Sequence, residues 1–532
     1  MSSSLFRRKS AAALEAESAS SGLKRALGPV QLTFMGIGAI IGTGIFVLTG
    51  QGAAGDAGHL GAGPALIYSF ILSGLACAFA ALCYAEFASM IPISGSAYTY
   101  SYASFGELIA WIIGWDLVLE YAVGNIAVAI GWSGYFKALL AGYGIVLPAI
   151  ISMDPATASH ALNHVPEALA QLQQLLGQAF TVPQVLEQID VLKTQAPDVL
   201  TPSIINDFRN YGAASTLPTL GGFPLTINLP AVLITLLITV LLVVGIQESA
   251  RTNAVLVIIK LFLIGLFIVF GLPHMDTATH WQNFMPNGWP GVFSAAAIVF
   301  FAYIGFDAVS TTAEEAKNPQ RDLPIGMIAS LVVCTLLYVV VAAVLTGMAP
   351  LEILGNEKPI AAALTSVGEN RISAIISAGV TITMPTVLLV MQLGQVRVFY
   401  SMSRDGLLPA RFSKVSPRFK TPVFSTILVG LFVGLFAGLI DIGDAAELTN
   451  IGTLFAFVLV AIGVWILRVQ EPDRKRSFKV PAYQLMASLC VLSCGFLMLS
   501  LPMMTWIRFV VWMGIGIVIY FLYGRRHSKL NS

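Results

Sequence analysis

The sequence predicts an all-α polytopic membrane protein with twelve transmembrane helices, and three observations carry that prediction. First, of 532 residues 56% are hydrophobic and only 11% charged, with a mean hydropathy of +0.81. Soluble domains carry about 25% charged residues. Second, twelve apolar stretches follow one another, most of them near the ~20 residues that cross a hydrocarbon core. Third, basic residues gather in alternate connecting segments.

The twelve stretches lie near 31–52, 64–89, 106–140, 229–246, 252–272, 293–313, 325–346, 372–400, 423–440, 446–468, 481–500 and 503–523. An even number puts both termini on one side. With the N-terminus in the cytosol, 22 of the 29 basic residues fall on cytosolic segments and helix ends. Only Lys193, Arg209, Lys358 and Arg371 fall on outer loops. The positive-inside rule therefore places both termini in the cytosol. The first 30 residues are polar, with no apolar core or cleavage site, and read as a cytosolic tail rather than a signal peptide. Residues 524–532 read as a second tail.

Residues 141–228 form a long extracytoplasmic loop. Within it, residues 166–200 space Leu, Val and Ile as a helix would, with a break at Pro183. The spacing predicts two short amphipathic helices on the outer face. A shielding insertion and a partner-binding element are the alternatives for its role.

The first span contains GAIIGTGIF, residues 38–46, with glycine at 38, 42 and 44. Glycine costs up to about 1 kcal/mol inside a helix, and unpaired backbone in lipid costs several more unless it lines a polar cavity. Close packing through small residues is one reading, since Gly38 and Gly42 are four apart. The other is a helix broken to hold a ligand. The sixth span supports the second reading. There Gly305 is followed by Phe306 and by Asp307, with Ser310, Thr311 and Thr312 beyond. An intramembrane carboxylate is a functional candidate. Two interrupted spans at matching places in two five-helix halves point to a transporter site near the midplane. The halves are then 31–272 and 293–468, followed by two C-terminal helices over 481–523.

Such breaks suit a zwitterion. The N–H groups near Gly42, Thr43 and Gly44 would take a carboxylate. The carbonyls near Phe301, Ala302 and Ile304 would take an ammonium group. Lys260 lies near the centre of the fifth span, where a lysine costs about 2.5–3.5 kcal/mol. Snorkelling would be a long reach from there. It can load and release a proton, or stand where a sodium ion would otherwise sit.

Asp116 and Glu120 are four apart in the third span and share a helix face. Glu120 is a candidate to sense the substrate side chain or join a proton path; hydrogen bonding to a neighbouring helix is the alternative. Glu86 and Glu107 flank a cytosolic turn with Pro92 and Gly95 and read as structural. Glu314 and Glu315 read as part of a cytosolic gate or loop. In the eighth span Thr381, Thr383 and Thr386 are polar enough to line a path, and Met391 and Gln392 are placed to wall the pocket. Methionine there would make it adaptable but narrow.

These stretches together resemble a known family. Residues 84–124 (YAEFASMIPISGSAYTYSYASFGELIAWIIGWDLVLEYAVG), GIGAIIGTGIF, FFAYIGFDAVSTTAEEAKNPQRDLP and FYSMSRDGLLP, in that order, are similar to the amino acid–polyamine–organocation superfamily, and within it to bacterial cationic amino acid transporter-like permeases. The resemblance covers roughly residues 25–525. It implies a LeuT-type 5+5 inverted repeat, discontinuous first and sixth helices, and two further helices. By resemblance Ile40, Gly42, Thr43 and Gly44 would bind the substrate carboxylate and part of the amine. Phe301, Ala302 and Ile304 would bind the amine, with Asp307 near the site. Lys260 falls at the lysine linked to proton coupling. The loop 141–228 is longer than expected for bacterial members.

The function expected is proton-coupled symport of L-amino acids across the plasma (inner) membrane by alternating access. Exchange, sodium coupling and a non-transporting amino acid sensor are the rivals, and the short tails disfavour the sensor. Met391 favours small or neutral substrates, and Asp307 and Glu120 favour cationic ones. No Ser/His/Asp set, phosphate loop or cysteine–histidine spacing stands out, so no enzyme, cofactor, metal or nucleic-acid partner is expected. The five cysteines all fall in apolar stretches, which argues against a disulfide framework.

Overall fold

The computed structural model describes residue 7 and residues 27–55, 59–90, 96–196, 199–245, 250–307, 309–310, 316–474 and 476–531. Pro92, Gly95, Thr311, Thr312, Glu314, Glu315 and most of the N-terminal tail lie outside the described residues.

The described residues are overwhelmingly helical. Seven helices are long and apolar enough to cross a membrane, or eight when Pro29–Ile40 and Gly44–Ala54, bent by 43°, count as one span. The others are Gly63–Met90, Glu107–Gly142, Thr252–His274, Pro319–Met348, Asn370–Arg404, Ile442–Gln470 and Met503–His527. Shorter apolar helices stand at Leu229–Val244, Gly288–Tyr303, Val423–Ala437 and Tyr483–Leu499. Together these elements occupy the twelve predicted places. Their cross-section is graded. Along Glu107–Gly142 an unbroken row from Ile113 to Tyr135 is buried. Thr252–His274 and Met503–His527 keep many large apolar side chains exposed, among them Val255, Phe262, Val510 and Leu522. A helix apolar all round is buried, and one with an exposed apolar face meets lipid. The third span is thus the bundle's axis, and the fifth and twelfth are peripheral.

Proline and glycine set the joints. Met384 separates Asn370–Thr383 from Pro385–Arg404 within the eighth span. In the sixth, Gly288–Val299 tightens into the narrower turn Phe300–Tyr303 and stops at Ile304, which is extended. Regular α-helix therefore ends at Val299, well short of the predicted residue 313, and just past the narrower turn Gly305 takes φ +120°, which only glycine adopts at no cost.

The expectation for the insertion 141–228 is corrected in detail. Pro166 lies inside one helix, Pro155–Leu176, rather than at a start. The break expected at Pro183 falls between Pro155–Leu176 and Val182–Glu187, whose first turn carries that proline. Ile189–Gln195 and Pro202–Ala214 follow, and a hairpin pairs Thr219–Leu220 with Phe223–Pro224. The helices bury their own cluster, including Val165, Leu172, Val185, Leu192, Ile205 and Phe208. Asn206 Nδ2 donates to Gly355 O at 2.6 Å. Lys193 pairs with Glu352, and Arg209 donates to the Glu352 carbonyl. The insertion thus rests on residues 352–355, and a Cβ at Gly50 in the first span would stand 2.1 Å from the Leu354 oxygen.

At the other end, Glu86 is buried and takes both Arg468 Nε and Nη2 at 2.7 Å. Arg476 Nε lies 3.2 Å from it, and the Val480 N–H donates to it at 2.8 Å. Glu107 accepts from the hydroxyls of Tyr102 at 3.1 Å, Tyr520 at 3.0 Å and Ser528. Both are structural, as the sequence reading expected.

Candidate functional site

The first span fails as a helix for a local reason. Ile41 is extended, with ψ 101°, Gly42 lies between the halves, and Thr43 already has helical dihedrals, φ −55° and ψ −33°. Phe46 N–H to Gly42 O at 3.3 Å is the first main-chain bond of the second half. The N–H groups of Thr43, Gly44 and Ile45 precede its first full turn, where helices leave donors over. A π-type turn, Gly44–Leu48, follows, and Thr49 Oγ1 bonds back to Ile45 O at 2.8 Å. Single π-type turns inside helices are frequent at functional sites.

The two breaks meet. A Cβ on Gly44 would stand 2.2 Å from the Ala302 Cα, and one on Gly305 would stand 2.9 Å from the Ala39 carbonyl carbon. Glycine at both places lets the backbones touch. Tyr338 ties them together: its hydroxyl lies 2.8 Å from Ala302 O and 3.1 Å from Ile40 O. Asn450 Nδ2 donates to Ala297 O at 2.7 Å and Ile298 O at 3.0 Å, covering carbonyls where the sixth span tightens. Tyr135 donates to Phe46 O at 2.7 Å.

Lys260 does not snorkel. It is buried, and its Nζ donates to Gly38 O and Ile41 O at 2.9 Å each. These carbonyls end Pro29–Ile40, the first half of the first span, so the ammonium sits at the negative pole of that half-helix.

Every candidate residue is buried: Ile40, Thr43, Glu120, Lys260, Phe301, Ala302, Ile304, Asp307 and Met391 by side chain, and Gly42 and Gly44 by their backbone. Val387 covers Gly42, and Met391, one turn on, covers Gly124 in the third span, one turn from Glu120. Thr43 packs on Gly131 of the same helix. Glu120 lies within electrostatic reach of Asp307 and Asp116 and beside Thr453. Asp307 Oδ1 accepts the Gly305 N–H at 3.3 Å, folding the chain back after the sixth-span break. The structure thus joins the first span to the third, fifth, sixth and eighth through Thr43, Lys260, Gly44 and Val387.

Some polar groups there have no hydrogen-bond partner among the described residues: Thr43 Oγ1, Glu120 Oε2, both Asn125 amide atoms and both Asp116 oxygens. Buried polar atoms without partners are costly, about 1–3 kcal/mol each, and Thr43 Oγ1 stands at the break itself. Gln392 is the exception among the pocket candidates. Its Nε2 donates to Thr239 Oγ1 at 2.7 Å, so it faces the fourth span. Thr381, Thr383 and Thr386 donate to Ser377, Gly379 and Thr383 carbonyls of their own helix turns. Tyr338 and Asn450 were missed at the sequence level. Both carry a signal: a hydroxyl or amide in mid-span needs a partner.

The sequence profile of the amino acid permease family matches residues 27–527. A branched-chain amino acid permease of Bacillus subtilis is 47% identical over the full length of both chains. A methylthioribose transporter of the same organism is 45% identical, again over both full lengths. The alignments therefore run through the insertion 141–228. A vacuolar cationic amino acid transporter of Arabidopsis thaliana is 34% identical over 85% of this chain and 64% of its own. Family and relatives are transporters, which agrees with the multi-pass architecture and the joined breaks. The chain belongs to the amino acid permease family, within the amino acid–polyamine–organocation superfamily.

Proposed function

We propose that the protein is a proton-coupled symporter that moves L-amino acids inward across the plasma membrane by alternating access. Its twelve apolar helices take a LeuT-type 5+5 inverted layout with both termini cytosolic. The substrate lies where the first and sixth spans break. Its carboxylate meets the N–H groups of Gly42, Thr43 and Gly44 and the Thr43 hydroxyl, and its ammonium meets carbonyls of Phe301, Ala302 and Ile304 with Asp307 close by. Ile40 adds to the carboxylate and amine contacts, and the substrate side chain meets Met391, with Glu120 near it.

The single observation that carries this reading is the Lys260 ammonium on the Gly38 and Ile41 carbonyls. A cation there holds the inner half of the first span. Loss of its proton releases that half, which couples protonation to the gate. The same ammonium fills a place where carbonyls would coordinate sodium, which counts against sodium coupling. The apolar wall and the 47% identical relative favour a branched-chain substrate. The test is uptake of labelled L-amino acids and of methylthioribose by purified protein in liposomes, with and without an inward proton gradient. Gradient-dependent accumulation of leucine, isoleucine or valine supports the reading. Uptake that ignores the gradient and needs internal amino acid overturns symport in favour of exchange.

A further inference from the structure

The insertion 141–228 stands on an apolar stem. It leaves the third span through residues 143–153 and returns through the hairpin 219–224 to the fourth. The two limbs of this stem are joined. Thr226 Oγ1 donates to Ala149 O at 2.8 Å and Met153 O at 2.7 Å, and the Ile227 N–H donates to Ile150 O at 3.1 Å. Gly221 at φ +60° and Gly222 at φ +87° make the tight turn that such a hairpin needs. Leu225 N–H closes its base on Pro218 O at 2.8 Å.

Its side chains face outward. Tyr143 is 79% exposed, Val146 81%, Leu220 71% and Phe223 75%. Cβ atoms at Gly142, Gly144, Gly221 and Gly222 would meet nothing within 4 Å, so the backbone itself projects from the body. The chain carries no charged residue over 138–153 or over 210–247. The helices between them do, with Glu167, Glu187, Lys193 and Arg209. Apolar and charged surface are thus separated sharply within one insertion.

The stem also sits at the end of two peripheral helices. The Asn228 N–H donates to Gly438 O at 3.0 Å, which levels the start of Leu229–Val244 with the end of Val423–Ala437. Exposed Leu233 and Leu237 on the one and Leu435 on the other continue the apolar surface of the stem. That surface is where this membrane protein meets lipid.

We propose that residues 143–153 and 219–225 form a wedge seated in the outer leaflet, anchoring the insertion to the bilayer. A narrow uncharged ridge with Tyr143 and Phe223 suits the interfacial zone, where aromatic side chains concentrate, and an uncharged apolar surface this exposed in water is otherwise disfavoured. The insertion then bridges lipid at its stem and the segment 352–355, against which Gly50 of the first span packs. The wedge does not depend on what the protein transports.

The test uses the full chain in liposomes of neutral and anionic phospholipid. Phe223→Cys and Val146→Cys are spin-labelled separately, since the five native thiols are buried, and the unsubstituted protein serves as the labelling control. Collision rates with oxygen and with a water-soluble nickel chelate are compared. The expected result at both sites is an oxygen-to-nickel ratio severalfold above that of Glu187→Cys on the charged helices, and close to that of Leu237→Cys on the fourth span. A ratio equal to that of Glu187→Cys overturns the proposal. So does shielding from both reagents with dipolar broadening between labels, which would mean a second copy covers the ridge.

Discussion

Lys260 Nζ lies 2.9 Å from both the Gly38 and the Ile41 oxygen, so one side chain of the fifth span closes the end of Pro29–Ile40 in the first. Lys260→Met removes the donor and leaves two buried carbonyls unpaired, at roughly 1–3 kcal/mol each before relaxation. Gradient-driven accumulation is expected to vanish while counterflow of labelled substrate persists. Undiminished accumulation in proteoliposomes would show that this lysine has no part in proton coupling.

Tyr338 is the only described side chain whose hydroxyl is placed on both breaks, through Ile40 O and Ala302 O. Tyr338→Phe keeps the ring packing and removes the hydroxyl. The loss of about 1.4 kcal/mol predicts a tenfold weaker substrate Kd. Equilibrium binding to the purified protein reads it, and an unchanged Kd would place the substrate elsewhere.

Met391 fills the space against Gly124 beside the proposed side-chain pocket. Met391→Ala opens room there and is expected to extend transport to bulkier amino acids while weakening the smaller ones. Competition against labelled substrate by a graded series of side chains checks it. The same change costs about 2–5 kcal/mol of stability if the space stays empty.

Glu86 holds Arg468 bidentately and Arg476 at 3.2 Å, and it is fully buried. Glu86→Gln leaves two guanidinium groups without their carboxylate. Breaking a buried pair costs about 3–5 kcal/mol, so Tm falls markedly. A thermal unfolding scan in detergent that matched the unsubstituted protein would contradict the burial of this charge.

Asp154 caps the helix Pro155–Leu176 of the insertion, accepting the Thr157 N–H and hydroxyl at 2.8 Å each. Burial, with Glu357 adding to it, pushes its carboxyl up to about 7. The folded insertion therefore holds a proton that the unfolded segment releases near its ordinary value of 3.8. Its contribution is complete at low pH and is lost as pH rises through about 7, up to ~4 kcal/mol in all. Opening of residues 155–176, read by hydrogen exchange corrected for its intrinsic pH dependence, is expected to become easier as pH rises from 3.8 to about 7 and to level off above that. Asp154→Asn keeps the cap and should flatten the profile; an unchanged slope would assign the effect to another group.

The legible part of this protein is set by composition and period. Twelve apolar stretches can be found by counting because lipid leaves the backbone no partner but itself, so each crossing must be long, apolar and helical. The glycines at 42, 44 and 305, with Asp307, flagged the breaks because each is costly where it stands. Lys260 stood out for the same reason. What stayed hidden were partners far apart in the chain. Nothing local joins Tyr338 to Ile40, Asn450 to Ala297, or Gln392 to Thr239.

The sequence by itself determined that the chain crosses lipid repeatedly and that its first and sixth spans are interrupted, since local cost alone dictates both. Only the tertiary structure decided what fills those interruptions. It set Gly44 on Ala302 and Gly305 on Ala39, aimed Lys260 at the Gly38 and Ile41 carbonyls, and turned the insertion into helices with a buried cluster of their own. The physical reason is that a freed backbone group is satisfied by whichever side chain the packing of other helices brings within 3 Å. That choice rests on the whole bundle, and no window of sequence contains it.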